Sequence, residues 1–132
     1  MTLEEKREFF KQDRFAVETT GLEIISVGEN TAKVKLKIED RHLNGLGFLM
    51  GGAYFTTADF AFAVATNDDV NKVVTSSSTI NYLRSVKGDE LYAEAKLLKN
   101  GRSICFYQID LTDKEGNLVA VVNTTGCRLS PL

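Results

Sequence analysis

Among the residues that do chemistry, this sequence is poorest in histidine and cysteine: one His and two Cys in 132 residues, with one proline and no tryptophan. A single imidazole leaves no histidine cluster to hold a metal ion. Cys105 and Cys127 are too far apart for a C-x-x-C knuckle or redox pair, so no metal site is expected. Ser-His-Asp or Cys-His catalysis would have to run entirely through His42. The lone proline, Pro131, lies beyond every strand-like segment, so nothing interrupts them.

A basic excess is also lacking. Sixteen Lys and Arg stand against eighteen Asp and Glu, a net charge of -2, and the basic residues are scattered. Lys33, Lys35 and Lys37 form the longest alternating set and read as one solvated strand face. Nucleic acid, which needs a concentrated basic stripe, is therefore not an expected partner. The most apolar segment, residues 53–65, is too short to span a bilayer and carries Asp59, so no membrane partner is expected. The opening Met1-Thr2-Leu3-Glu4-Glu5-Lys6-Arg7 leads into no apolar stretch and does not read as a signal peptide. Together with two lone cysteines in strand-like segments, read as buried packing, this points to reduced thiols and a cytoplasmic location.

What is present is the composition of a globular protein, 43% hydrophobic and 26% charged, enough for one domain spanning 1–132. Residues 3–12 read as a short helix, with Thr2 as N-cap and Glu5 at the capping-box position. Residues 15–21 read as a connection, followed by strands at 22–27 and 31–39 joined by Gly28-Glu29-Asn30. The second alternates strictly, with Ala32, Val34, Leu36 and Ile38 inward. Residues 53–66 are apolar on every side except for threonines and Asp59, which marks a buried helix. Four more strands follow at 73–83, 91–98, 103–112 and 118–127. Asn100-Gly101 is the strongest hairpin signal, because both positions tolerate positive φ. A six-stranded antiparallel sheet wrapped around one long buried helix, with a short N-terminal helix, is the economical α+β solution: the hotdog fold.

Asp59 falls mid-helix, with Gly52, Phe55, Thr56, Phe62 and Ala63 on its side by helical spacing. A lone carboxylate there is costly unless hydrogen-bonded or wetted by a cavity, and burial would raise its pKa toward that of a general base. A structural Asp satisfied by a neighbouring strand is the competing reading. Gly51-Gly52 opens the helix, and its first-turn N–H groups lack intrahelical acceptors, which suits a carbonyl developing negative charge. A tight entry into the helix would explain the glycines equally well.

The run His42-Leu43-Asn44-Gly45-Leu46-Gly47-Phe48-Leu49-Met50-Gly51-Gly52, continuing to Ala58-Asp59, resembles the hotdog-fold acyl-CoA thioesterases, nearest the phenylacetate-pathway (PaaI-type) group. Those carry HLNxxGxxHGG and an Asp eight residues after the first Gly of the pair. Asn81-Tyr82-Leu83-Arg84, Gly88-Asp89, Asn100-Gly101-Arg102 and residues 113–120 (DKEGNLVA) are similar too, so the likeness runs from about 22 to 127. The resemblance implies active sites at the subunit interface of a homodimer, with dimers often paired into tetramers. It implies Asp59 as nucleophile or general base, the Gly51 amide as oxyanion donor, Asn44 positioning loop and substrate, and Ser77 as the hydroxyl that holds water. Ser77 is expected on one strand face with Thr75 and Thr79. Gly52 and Thr79 then belong to the substrate site.

One departure stands out. Met50 occupies the position of the motif His before Gly-Gly, and His42 matches the separate His of HLN. Met has neither acid nor base function, and being unbranched and soft it suits an acyl-pocket wall. Arg84, Asn100 and Arg102 lie at strand ends where the family places nucleotide-contacting loops, and Phe48, Phe55 and Phe62 are near enough to shape an acyl tunnel. The expected activity is hydrolysis of an acyl-CoA to acid and CoA, with no cofactor beyond the CoA carried by the substrate. The alternatives are a weakened hotdog protein that binds an acyl ligand without efficient turnover, and a structural role in which Asp59 satisfies a dimer contact.

Overall fold

The computed structural model describes residues 1–130, and Pro131 lies outside them. Helix α1 (Leu3–Phe9) begins with the expected capping box. Thr2 Oγ1 accepts from the Glu5 N–H at 3.1 Å, and the Glu5 carboxylate accepts from the Thr2 N–H at 2.9 Å. A tighter turn, Phe10–Gln12, completes it. The stretch read as a plain connection is instead one wide helical turn, Phe15–Thr20, stopped by Gly21 at φ 85°. It is too short to show a hydrophobic period, so the sequence carries no signal for it.

The strands β1 (Leu22–Gly28) and β2 (Thr31–Lys37) precede helix α2 (Gly51–Thr66). They are followed by β3 (Val73–Tyr82), β4 (Glu90–Asn100), β5 (Ile104–Asp113) and β6 (Leu118–Arg128). All pairings are antiparallel, in one six-stranded sheet of order β1-β2-β4-β5-β6-β3, the hotdog arrangement. The chain passes through α2 to the far edge, lays down β3, and returns to insert β4 beside β2. The tight turn of the β1–β2 hairpin is made by Asn30 at φ 57°. Neither Asn100 nor Gly101 uses positive φ, contrary to the dipeptide signal. Gly101 is needed for space, since a Cβ there would lie 2.5 Å from the Ile104 carbonyl oxygen.

Alternation places the core. Ala32, Val34 and Leu36 of β2, Leu91, Ala93 and Ala95 of β4, and Cys105, Tyr107, Ile109 and Leu111 of β5 turn one face of the sheet inward. Alanines at the centre of β4 leave room for α2, which brings Phe60, Ala61, Phe62 and Val64 to that face. Phe62, expected near an acyl tunnel, is instead sealed in the core, edge-on to Tyr107 with centroids 5.3 Å apart. Of the cysteines, Cys105 is buried as expected, whereas Cys127 is exposed because its register places it on the outer face. Helix α1 straps across α2. The Phe10 ring meets Phe60 edge-on at 5.7 Å, and buried Lys6 donates from Nζ to the Val64 and Asn67 carbonyls, each at 2.5 Å. An ammonium on carbonyls at a helix C-terminus complements the helix dipole.

One flank of α2 is not covered. Gly52 and Asp59 are exposed and Thr56 and Ala63 half-buried, a stripe at helical spacing. The helix is therefore buried on most of its circumference rather than all of it.

A Cβ on Gly126 would lie 2.7 Å from Phe62 Cζ and 2.8 Å from both Cys105 Sγ and Val73 Cγ1. Gly126→Ala is therefore expected to destabilise the fold by about 1–3 kcal/mol through overpacking. Urea denaturation of wild type and variant measures this, and an unchanged midpoint would contradict the packing described.

Candidate active site

The loop that delivers α2 is tied at both ends. Buried His42 closes a short helical turn, Asp40–His42: the Glu39 N–H donates to its Nδ1 at 2.9 Å. The ring proton therefore sits on Nε2, which donates to the Thr20 carbonyl at 2.8 Å. Both nitrogens are occupied, so the single imidazole is a clamp between the loop and the N-terminal segment. Asn44 organises the next turn, its side-chain oxygen accepting from the Leu46 N–H at 2.9 Å and the Phe48 N–H at 3.1 Å. The Met50 N–H then donates to the His42 carbonyl at 2.9 Å, fixing where the helix starts.

Met50 is the N-cap of α2 and offers no side-chain acceptor. The Ala53 N–H donates to the Met50 carbonyl at 2.9 Å. The N–H groups of Gly51 and Gly52 find no acceptor among the described residues. They are the loose donors expected of a first helical turn. Tyr82, on β3, donates its hydroxyl to the Gly51 carbonyl at 2.8 Å. Gly51 lines a cavity of about 470 Å³ with Phe48, Tyr54, Tyr82 and Arg84. On the other side, Met50, Gly52 and Thr56 line a second cavity of about 490 Å³ with Phe15 and His42.

Asp59 projects from the uncovered flank of α2 into a third cavity of about 290 Å³, shared with Asp13, Phe15 and Thr56. The Thr75 hydroxyl donates to its Oδ1 at 3.4 Å. The carboxylate is open to solvent on one side, yet the protein packed behind it removes enough water to push its pKa up. The Thr75 hydrogen bond opposes that shift and the Asp13 charge reinforces it. Between Gly51 and Asp59 lie two helical turns, about 12 Å along the axis. No single carbonyl can therefore meet the Gly51 amide and the Asp59 carboxylate of one chain.

Of the residues expected at the site, the structure brings Met50, Gly51, Gly52, Arg84 and Asp59 to cavities around α2, with Asn44 shaping the loop. Ser77 and Thr79 require correction. A bulge between Thr75 and Ser77 breaks the alternation, so Thr75 opposes inward Gly126 while Ser77 opposes Thr125 and Thr79 opposes exposed Asn123. Ser77 and Thr79 therefore lie on the outer face of the sheet, and the hydroxyl that reaches Asp59 in the protomer is that of Thr75. Within one chain Asn100 stands apart from the Gly51 cavity. Asn100 lines a cavity at the other end of α2 with Lys6 and Thr66, its side chain and the Gly101 carbonyl held by the Arg128 guanidinium. Arg102 follows in the turn between β4 and β5. The reading from sequence missed Tyr82 and Asp13. Tyr82 lies within the Asn81-Tyr82-Leu83-Arg84 segment without being given a role, and no local signal ties Asp13 to α2.

A hotdog sheet around a helix that opens on unpaired glycine amides and carries a carboxylate two turns later defines a thioesterase-like class of protein. Residues 46–120 match the thioesterase superfamily, and the chain belongs to that family. It is 35% identical over 102 residues to the acyl-coenzyme A thioesterase PaaI of Escherichia coli, covering 76% of this chain and 73% of that protein. It is 31% identical over 101 residues to acyl-coenzyme A thioesterase 13 of Mus musculus, covering 74% and 72%. The structure of E. coli PaaI superposes with a TM-score of 0.84 over 98% of both chains, at 29% identity. A hypothetical thioesterase from Streptococcus pneumoniae, solved with coenzyme A, superposes with a TM-score of 0.83 at 26% identity, over 92% of this chain and 98% of that one. Among the described residues, no helix is long and apolar enough to cross a membrane.

If Asn44 holds the loop as its hydrogen bonds indicate, Asn44→Ala should speed amide exchange at Leu46 and Phe48, with a global cost of about 1–2 kcal/mol. Hydrogen exchange read residue by residue measures this, and unchanged protection at both amides would contradict it.

Proposed function

We propose that this protein hydrolyses an acyl-CoA thioester to the free acid and CoA, as a single-domain cytoplasmic enzyme that needs no cofactor besides the CoA of its substrate. The observation that carries the reading is the arrangement along α2: unpaired Gly51 and Gly52 amides at its start, and a desolvated carboxylate on its open flank. Relatives named acyl-coenzyme A thioesterases support the substrate class.

In this reading Asp59 takes a proton from water, whose oxygen bonds to the thioester carbon, or attacks that carbon directly to give a mixed anhydride that water then hydrolyses to the free acid and Asp59. The carbonyl oxygen becomes an anion facing the Gly51 N–H, an interaction stronger in the transition state than in the ground state. Collapse re-forms the carbonyl, breaks the C–S bond and releases CoA, whose sulfur takes up a proton. Thr75 orients the Asp59 carboxylate, and Asn44 holds the loop that aims the Gly51 amide. Arg84, beside Gly51, pairs with a CoA phosphate. Met50 replaces the motif imidazole with an apolar wall, leaving oxyanion support to backbone amides.

Because Gly51 and Asp59 of one chain are too far apart to share a substrate, the reading requires a homodimer, alone or paired into a tetramer. Each site then joins the Gly51 end of one protomer to Asp59 of its partner. The long edge strand β3, with one side of its backbone unpaired, is a natural seam for such pairing.

Thiol release from a panel of acyl-CoA esters tests the chemistry. Asp59→Asn should lower the rate by about 10²–10⁴, and equal rates for variant and wild type would remove Asp59 from the mechanism. Light scattering on the eluting protein should give a mass at least twice the 14.6 kDa of the chain. A monomer that hydrolyses acyl-CoA would overturn the shared site.

A further inference from the structure

We propose that Asp13 is a positioning residue of this site, its carboxylate sharing the Asp59 cavity and favouring the form of Asp59 that holds the proton taken from water. The proposal deepens the hydrolase reading and rests on it for its catalytic meaning.

The two carboxylates come from elements far apart in sequence and line one cavity of about 290 Å³. Asp13 is held there by structure on both sides of it. Its N–H donates to the Phe10 carbonyl at 3.0 Å, and its carbonyl accepts from the Val17 N–H at 2.9 Å. Phe10 is itself locked edge-on against Phe60, the residue after Asp59. Packing of the N-terminal segment thus sets the spacing between the two acids.

Among the described residues, no cation pairs with either carboxylate. Arg14 borders the same cavity, but its guanidinium is engaged by Glu18. From β3 the group facing Asp59 is the uncharged Thr75 hydroxyl. Lys72 and Asp68 border the neighbouring cavity, which Asp13 also lines, and not that of Asp59. Two like charges in one partly dry cavity resist ionising together, so a proton arriving on Asp59 is retained more firmly while Asp13 is charged. In agreement, burial and then the Asp13 charge push the Asp59 pKa up, against the Thr75 hydrogen bond, and burial pushes Asp13 up as well. Asp13 acts through Asp59 and does not need to touch substrate.

The test compares wild type, Asp13→Asn, Asp13→Ala and Asp13→Glu by carbon-detected NMR titration of the Asp59 carboxyl and by the pH profile of thiol release. Without the Asp13 charge, Asp59 should ionise at lower pH and the acidic limb of kcat/KM should follow it downward. A weaker base should lower kcat roughly two- to fivefold at neutral pH with KM held. Asp13→Glu should restore both readouts. A titration and an acidic limb that stay in place in both neutral variants would overturn the proposal. The titration needs no turnover, so a wild type inactive on every ester would defeat the hydrolase reading while the Asp13–Asp59 coupling is still read.

Discussion

Helix α2 is too apolar to stand in water, and covering it organises everything else. Phe60, Phe62 and Val64 need a sheet beside them, and β2, β4 and β5 supply it with alternating Val, Leu, Ile and Ala. At about 25 cal/mol per Å² of apolar surface removed from water, each large side chain sealed there contributes roughly 1.5–3 kcal/mol. The helix N-terminal strap exists for the same reason, adding Phe10 against Phe60 and Lys6 against the last carbonyls of α2. One stripe is left uncovered, and it is the stripe that carries Asp59. A fold driven by burial thus sets its one mid-helix carboxylate beside a cavity, where its ionisation can be tuned without the cost of full desolvation.

The chemistry available there follows from what is already engaged. His42 has both ring nitrogens in hydrogen bonds to backbone groups, so its role is to hold the loop in register with the N-terminal segment. With Met50 at the cap, no side chain competes for the amides of Gly51 and Gly52. The loose donors at the start of α2 and its partly desolvated carboxylate suit chemistry in which an oxyanion forms and a proton is taken from water. Their separation along one helix is a geometric constraint rather than a defect. Two helical turns keep Gly51 and Asp59 of one chain apart, so the proposed site, which uses both, takes one of them from another copy.

Much of this was legible in advance because the signals were local. The capping box at Thr2 and Glu5 depends on a single three-residue spacing, and it forms. The inward set Ala32, Val34 and Leu36 follows from a period of two, and the greasy helix from its composition. The Gly-Gly to Asp spacing on α2, and with it the family, is also carried by one contiguous segment. The misreadings share a different cause. Strict alternation along β3 places Ser77 and Thr79 on the Thr75 face, and one bulge, set by pairing with β6, turns them to the other. The Asn100-Gly101 pair signals positive φ, whereas the fold needs only the missing side chain of Gly101. Arg84 and Asn100 are both strand-end residues, and within one chain their strands end at opposite poles of α2.

By itself, then, the sequence determined which segments are helix and strand, which side of most strands is buried, and which residue types are left to do chemistry. These are short-range properties, written in spacing and composition. Only the tertiary structure decided that β3 lies at the sheet edge beyond β6, that Thr75 rather than Ser77 meets Asp59, and that Asp13 enters the Asp59 cavity. Those outcomes depend on strand order, on a bulge and on the docking of α1. Each is a contact between residues distant in the chain, and the energy that selects it comes from packing the whole sheet around one helix.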